Sequence, residues 1–309
     1  MLRGRGGLGH NAAMKLITFT QGTDPRCGLA LSDTVALDLS AADPTLPLTW
    51  HALFSEMDRV RQLHDGFAAQ AAEAPAEGDL PAPLVRLGDV QLLAPVVLPS
   101  KIIGVGLNYY DHAAEQNKQP PAAPMFFSKA PSCLQSPGGP IALTEDLTQV
   151  DAEAELAVII GKPARAVKAA DAAGVIAGYT CFNDVSNREA QRQDRQFFRG
   201  KSIDTGGPCG PWIVTPDELP AEALGLRIRC WWNDQLMQDS RTDQLVFTPH
   251  ALVEHASRHT TLFPGDIIVT GTPGGVGEFR DPPRFLTPGD EITVEIEGIG
   301  RLTNPVTRW

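Results

Sequence analysis

Residues 150–162, with the sequence VDAEAELAVIIGK, constrain the fold of this chain more than any other segment. Three acidic residues, Asp151, Glu153 and Glu155, alternate with other residues and lead into the continuous apolar stretch 156–160. A short apolar run of this kind indicates a buried strand. Residues two apart in a strand share a face, so the three carboxylates are predicted to project the same way.

Like charges side by side on one strand face repel each other, and buried carboxylates need a partner. One alternative is an exposed polar edge, where water solvates the acids. The apolar run favours burial instead, and a cation between the carboxylates would remove their repulsion. This segment therefore predicts a metal site.

A further acid, Asp184, lies in residues 179–191, YTCFNDVSNREAQ, where a predicted strand ends and a predicted helix starts. Ligand residues are frequent at such positions. Spacing alone favours a helix-capping role for Asp184. As a third oxygen ligand, it would instead complete an all-carboxylate site, which suits Mg²⁺, Mn²⁺ or Ca²⁺ better than zinc or copper.

Residues 104–115, GVGLNYYDHAAE, begin with two glycines, but Tyr109 stands where a dinucleotide-binding G-x-G-x-x-G motif needs its third. His112 and Glu115 are three residues apart on a short predicted helix and therefore share one face. A carboxylate beside an imidazole can orient it as a general base. A simple surface pair is the alternative interpretation.

Residues 269–277, VTGTPGGVG, form a glycine-rich loop after a predicted strand. The loop has no lysine and is therefore not a P-loop. Its backbone N–H groups and the Thr272 hydroxyl can bind an anion such as a carboxylate. A structural tight turn is an equal alternative.

The chain divides near residue 90. Residues 14–40 predict a small antiparallel sheet, residues 48–72 a helix, and residues 72–83, AEAPAEGDLPAP, a linker. The later chain predicts a β-rich α/β domain with helices at 111–117, 188–193 and 250–259. We thus expect a disordered extension over 1–13, a small domain over 14–90 and a catalytic domain over 91–309.

Composition narrows the function classes. The formal net charge of −11 argues against a nucleic-acid partner. No run of eighteen apolar residues occurs, so no membrane span is predicted. The five cysteines form no C-x-x-C pair and predict buried, reduced thiols in a cytoplasmic protein.

Together and in this order, these segments resemble the fumarylacetoacetate hydrolase superfamily over about residues 92–309. The resemblance lies in D-x-E-x-E, FNDVSNRE, FRGKSIDTGGPCGPWIV, TLFPGDIIVTGTPGGVG and GDEITVEIEGIGRLTNPV. It implies a β-rich α/β fold, in which a mixed β-roll catalytic domain carries a smaller N-terminal α+β domain. It also implies a homodimer.

The resemblance further implies roles for single residues. Those matching the family's metal ligands, for Mg²⁺ or Mn²⁺ (Ca²⁺ in crystals), are Glu153, Glu155 and Asp184. Those matching its catalytic groups are His112, Glu115 and Lys201. Those matching residues that contact the substrate are Arg188, Gln191, Thr272 and Lys129.

The implied substrate is a small 2-oxo acid. We expect hydrolysis of a C–C bond in an acylpyruvate- or fumarylpyruvate-like 2,4-dioxo acid by a water that His112 activates. The alternative is a decarboxylase or keto–enol isomerase acting on oxaloacetate or on a dioic acid of aromatic catabolism. A third possibility is a non-catalytic, metal-stabilised scaffold. The fold does not decide between these reactions, and residues 116–124 and 278–285 are expected to read the far end of the substrate.

Overall fold

A sheet of twelve strands organises the part of the chain that the computed structural model describes, residues 14–309. The extension predicted over residues 1–13 lies outside the described residues. The first elements along the chain are β1 Lys15–Thr20, β2 Arg26–Ala30, β3 Val35–Asp38, α1 Leu39–Ala42, α2 Trp50–Leu53, α3 Met57–Ala72, β4 Leu84–Arg86 and β5 Gln91–Leu93.

The second part of the chain alternates strands with short helices. Its elements up to residue 201 are β6 Ile102–Gly106, α4 Tyr110–Glu115, β7 Met125–Lys129, β8 Leu134–Gln135, β9 Ile141–Leu143, β10 Val150–Asp151, β11 Ala154–Ile160, β12 Ile176–Asn183, β13 Ser186–Asn187, α5 Arg188–Gln193 and α6 Phe198–Lys201. They are followed by β14 Gly207–Val214, β15 Arg227–Trp232, β16 Gln235–Arg241, α7 Pro249–Ser257, β17 Ile267–Val269, β18 Glu291–Ile296 and β19 Gly300–Arg308.

The twelve-stranded sheet runs in the order β4-β3-β2-β1-β14-β12-β11-β17-β6-β7, with β5 on β1 and β8 on β14. A second sheet has the order β16-β15-β18-β19-β9, and β10 pairs with β13 alone. These mixed sheets with few helices confirm the predicted β-rich α/β class.

The large sheet crosses the predicted domain boundary. Strand β1 pairs antiparallel with β14, placing Lys15 opposite Val214 and Leu16 opposite Ile213. One buried apolar cluster likewise joins residues from both sides of residue 90, including Leu16, Trp50 and Ile159. The 14–90 and 91–309 segments therefore share a core, and their division into domains stays a prediction.

The predicted helix over 48–72 is two helices, α2 and α3. Trp50 anchors α2, because its indole N–H donates to the Ile17 carbonyl at 3.1 Å. The Ser55 hydroxyl, just after α2, donates to the Ala52 carbonyl at 2.7 Å. A side chain that binds nearby backbone in this way competes with the helical hydrogen bonds, and the chain restarts its helix at Met57.

Strand β11 is an interior strand of the twelve-stranded sheet, and all seven of its residues are buried, which confirms the predicted buried strand. It pairs antiparallel with both β12 and β17, and β17 pairs parallel with β6. The start of β11 therefore lies beside the ends of β12, β17 and β6. The loops that leave these strands meet at one edge of the sheet.

The predictions for the cysteines and for membrane-spanning segments can be compared with the structure. The five cysteines are free and buried, as predicted. In residues 14–309 we find no helix long and apolar enough to cross a membrane.

The burial of β11 predicts a large effect of shortening its side chains. Leu156 is fully buried in the main apolar cluster, so Leu156→Ala should lower the free energy of unfolding by about 2–5 kcal/mol. Denaturant titration measures this change. Leu48→Ala, at a side chain that is 69% exposed, is the matched control and should change stability little. Equal effects of the two substitutions would contradict the placement of β11 in the core.

Candidate active site

Three buried carboxylates, those of Glu153, Glu155 and Asp184, converge at the start of β11. In the antiparallel β11–β12 pair, Ala154 lies opposite Asn183, and the Asp184 N–H donates to the Glu153 carbonyl at 2.9 Å. Glu153 lies immediately before β11, and Glu155 is the second residue of that strand. One oxygen from each carboxylate lies within 4.8 Å of the others, and the three residues form a set that can hold a metal ion.

Asp151 does not join this set, contrary to the predicted single face of three acids. The chain leaves the strand between Asp151 and Ala154, because side-chain oxygens take the backbone N–H groups there. The Glu153 N–H donates to the Asn183 side chain at 3.1 Å, and the Ala154 N–H donates to the Gln238 side chain at 2.9 Å.

Asp151 turns instead towards Arg188. Its carboxylate is fully buried and accepts from Nε and Nη2 of Arg188 at 3.0 and 2.6 Å. It also accepts from the backbone N–H groups of Gly277 at 2.9 Å and Glu278 at 3.0 Å. Asp151 thus joins α5 to the loop after β17, a role that sequence spacing did not indicate.

The helix-capping role weighed for Asp184 belongs to Asn187. The Asn187 side chain is the N-cap of α5 and accepts from the Ala190 N–H at 3.2 Å. Asp184 is thereby left with both carboxylate oxygens facing cations. Lys129 lies 2.7 Å from one oxygen and Lys201 lies 2.7 Å from the other.

Three buried cations surround the carboxylates. The Lys201 ammonium bridges Glu153, at 2.5 Å, and Asp184. Arg188 Nη1 lies 2.7 Å from the second oxygen of Glu153. The Lys129 ammonium is fully buried and also donates to the carbonyls of Lys201 and Gly206. Lys129 therefore lies behind Asp184 and does not line the cavity described below, unlike the other residues expected to contact substrate.

The two glutamates of the set differ in their electrostatics. Burial opposes ionisation of Glu153, but Lys201 and Arg188 outweigh it and lower the pKa of Glu153 to about 2. Burial, followed by the charges of Asp184 and Glu153, holds the pKa of Glu155 well above its usual range. Glu155 is thus the carboxylate of the set that lacks a compensating cation.

His112 and Glu115 form the predicted pair on one face of α4. His112 Nδ1 lies 3.0 Å from the Glu115 carboxylate, whose other oxygen accepts from the Gly275 N–H at 2.8 Å. With Nδ1 donating to Glu115, the Nε2 nitrogen is the acceptor, and it lies 2.8 Å from the Gln116 side-chain nitrogen. Glu115 therefore orients the imidazole so that its basic nitrogen is Nε2.

The glycine-rich loop binds anions, but they are the protein's own carboxylates. Its N–H groups donate to Glu155 from Gly271, to Asp111 from Gly274 and to Glu115 from Gly275. The Thr272 hydroxyl donates to the Ala154 carbonyl and accepts from Gln238. The loop therefore holds the site's acids in place, and these N–H groups are not free for a substrate.

One cavity of about 330 Å³ is lined by groups from each of these parts of the site. Its lining includes Glu153, Glu155, His112 and Gln116. Of the residues expected to act in catalysis or substrate binding, those lining the cavity are His112, Lys201, Arg188, Gln191 and Thr272. Lys118, Arg192 and Glu278 also line it. Lys118 and Glu278 belong to the two segments expected to read the far end of the substrate, whereas no sequence pattern pointed to Arg192.

The model of the fumarylacetoacetate hydrolase C-terminal domain matches residues 101–307. The chain belongs to the fumarylacetoacetate hydrolase family. The match confirms the resemblance seen in the sequence, and it makes the chain a member of a family of enzymes.

Relatives within this family carry different activities in their names. An oxaloacetate tautomerase of Xenopus laevis, named as mitochondrial, is 40% identical over 299 residues, which is 95% of this chain and 90% of the relative. The crystal structure of a 5-carboxymethyl-2-hydroxymuconate delta-isomerase from Mycobacterium smegmatis superimposes with a TM-score of 0.74 at 35% identity, covering 96% of this chain and 99% of that one.

A third relative is named with a metal ion. The maleylpyruvate hydrolase of Sphingobium sp. SYK-6, in complex with manganese(II) and pyruvate, is 31% identical, with a TM-score of 0.76 over 96% of this chain and 99% of that one. The reaction class thus varies among similar proteins of the family.

Asp151 gives a testable expectation at this site. Asp151→Asn removes the buried negative charge that pairs with Arg188. It also places an amide N–H among the donors of Arg188, Gly277 and Glu278 that now point at the carboxylate. Removing one partner of a buried pair costs about 3–5 kcal/mol, and we expect the lower end because Glu153 and Glu278 also contact Arg188. Chemical denaturation measures the loss, with Asp24→Asn at an exposed position as control. Unchanged stability would contradict the structural role of Asp151.

Proposed function

We propose that this chain is a divalent-metal-dependent keto–enol tautomerase of a small 2-oxo dicarboxylic acid such as oxaloacetate. The observation that carries the proposal is one cavity lined both by the oriented imidazole of His112 and by Glu153 and Glu155 of the carboxylate set. The oxaloacetate tautomerase named above supports the choice of substrate, because its similarity spans 95% of this chain.

The residues that would hold the metal are Glu153, Glu155 and Asp184. They fit a hard divalent ion, because all three offer carboxylate oxygens and Glu155 lacks a compensating cation. Bound Mg²⁺ or Mn²⁺ would supply Lewis-acid polarisation of the substrate's keto oxygen.

The chain's own groups supply the proton transfer. His112 Nε2 takes a proton from the carbon next to the keto group, and the same proton returns to the oxygen to give the enol. Only one C–H bond and one O–H bond change, and the reverse path regenerates the ketone. Glu115 stabilises the imidazolium formed in between, and the Lys201 ammonium stabilises the charge that develops on the oxygen. Gln116 must leave Nε2 before the substrate can approach it.

A second candidate is hydrolysis of a C–C bond in a 2,4-dioxo acid, the reaction first expected from the sequence. Its support is the similarity to the maleylpyruvate hydrolase over nearly the whole chain, at 31% identity. The same His112–Glu115 pair would then take its proton from water. We place this reaction second, because the relative named as a tautomerase is the more similar in sequence.

Assays of the two reactions test the proposal. With Mg²⁺ or Mn²⁺, the protein should accelerate loss of the oxaloacetate enol absorbance, with oxaloacetate as the only product by NMR. His112→Asn should lower the rate by about 10²–10⁴-fold, the usual contribution of a general base. His259→Asn, on an exposed histidine, should keep the rate. Acetylpyruvate cleavage without oxaloacetate ketonisation would favour hydrolysis. A protein that catalyses neither reaction would refute both candidate functions.

Metal binding should release a proton. Because burial and the charges of Asp184 and Glu153 raise the pKa of Glu155, this carboxyl retains its proton to a higher pH when no cation is bound. A bound cation favours the ionised form, so affinity should rise with pH and fall as the pH is lowered. Calorimetry of Mn²⁺ binding in two buffers of different ionisation enthalpy measures the released proton. Identical heats in the two buffers would show that no proton is released and would contradict this prediction.

The remaining expectations stay predictions. They are a homodimer, the absence of a nucleic-acid or membrane partner, and a cytoplasmic location. The Xenopus relative is named as mitochondrial, so location is best tested by imaging the tagged full chain.

A further inference from the structure

The Glu278 carboxylate lies between two guanidinium groups in the cavity. One of its oxygens is 2.5 Å from Nη1 of Arg192, and the other is 3.4 Å from Nε of Arg188. All three residues line the same cavity as Glu153 and Glu155. The protein therefore already shows that a carboxylate fits between these two arginines.

The two arginines differ in how far their charge is compensated. Arg188 is buried and pairs with Asp151 and Glu153 in addition to Glu278. Arg192 is about half exposed, and among the ion pairs of residues 14–309 its one carboxylate partner is Glu278. Its other hydrogen bond goes to the neutral side chain of Gln149. Glu278 is thus an extra anion for Arg188 but the principal partner of Arg192.

The position of Glu278 relative to the carboxylate set is defined by Arg188. Nη1 of that guanidinium contacts Glu153, and Nε of the same group contacts Glu278. The two carboxylates therefore contact the same guanidinium group, through different nitrogens.

We propose that Arg192, beside Arg188, forms a subsite for the distal carboxylate of a 2-oxo dicarboxylate, and that Glu278 occupies this subsite until the substrate replaces it. The inference rests on the proposed function for the orientation of the 2-oxo end towards Glu153. A planar guanidinium suits this task, because its N–H groups match both oxygens of a carboxylate.

The exchange needs little rearrangement. The backbone of Gly277 and Glu278 is held by the buried Asp151 carboxylate, so only the Glu278 side chain has to rotate. A partly exposed ion pair contributes little net stability, and a carboxylate of the substrate restores the lost interaction with Arg192. Monocarboxylic 2-oxo acids cannot do so, and the subsite therefore selects diacids.

Direct binding tests the subsite without relying on turnover. The Mg²⁺-loaded full chain is titrated in a calorimeter with oxaloacetate and with 2-oxobutyrate, which has a methyl group in place of the second carboxylate. Arg192→Met should weaken oxaloacetate binding by about tenfold or more, the usual effect of losing a charge-assisted hydrogen bond, and leave 2-oxobutyrate unchanged. Glu278→Gln should tighten the binding of oxaloacetate but not of 2-oxobutyrate, because the Glu278 carboxylate then no longer competes for Arg192.

A matched control separates the subsite from the general charge of the protein. Arg195→Met removes the same charge at an exposed position on the same segment and should bind both ligands as the wild type does. The proposal is overturned if Arg192→Met keeps the wild-type ratio of the two affinities, if it weakens both ligands equally, or if the wild type binds neither. A wild type that discriminates between the ligands but does not speed ketonisation would refute the proposed function and leave the subsite standing.

Discussion

The antiparallel pairing of β11 with β12 brings four buried carboxylates and three buried cations to one place, and the rest of the site depends on their balance. The carboxylates are those of Asp151, Glu153, Glu155 and Asp184, and the cations are those of Lys129, Lys201 and Arg188. Each cation contacts at least one of the acids, but Glu155 accepts only from the Gly271 N–H among the hydrogen bonds of residues 14–309. Burying charges without partners is costly, so the raised pKa of Glu155 is the expected response of the one acid without a cation.

The direction of the strands explains why the candidate catalytic groups meet although they come from distant segments. Because β11 is antiparallel to β12 and β17 while β6 is parallel to β17, one edge of the sheet collects the start of β11 and the ends of the other three strands. Helix α4 follows β6 and carries His112, and the glycine-rich loop follows β17. The loop then anchors Glu115, and so fixes the imidazole relative to the carboxylate set.

Local spacing made much of this site predictable. The i, i+3 spacing of His112 and Glu115 is set by the geometry of a single helix. The i, i+2 spacing of Glu153 and Glu155 predicted that both acids reach one site, although Glu153 lies just before β11. The buried strand was also predictable, from its apolar run. Asp151 was not, because its departure from the strand depends on side chains of Asn183 and Gln238 that lie 30 and 84 residues away from their backbone partners.

Hydrogen bonds between the glycine-rich loop and carboxylates from distant segments also limit how the site can recognise an anion. A glycine-rich loop with several free N–H groups would offer a ready carboxylate site, but here those groups are used by Glu155, Asp111 and Glu115. Under the proposed function, a second carboxylate on the substrate would therefore be recognised by side-chain cations at the cavity wall. Among the ion pairs of residues 14–309, Lys201 bridges two acids, whereas Arg192 has a single, partly exposed pair. Because the loop's backbone N–H groups hold the site's own acids, the proposed recognition of the substrate's far end falls to the partly exposed side chain of Arg192.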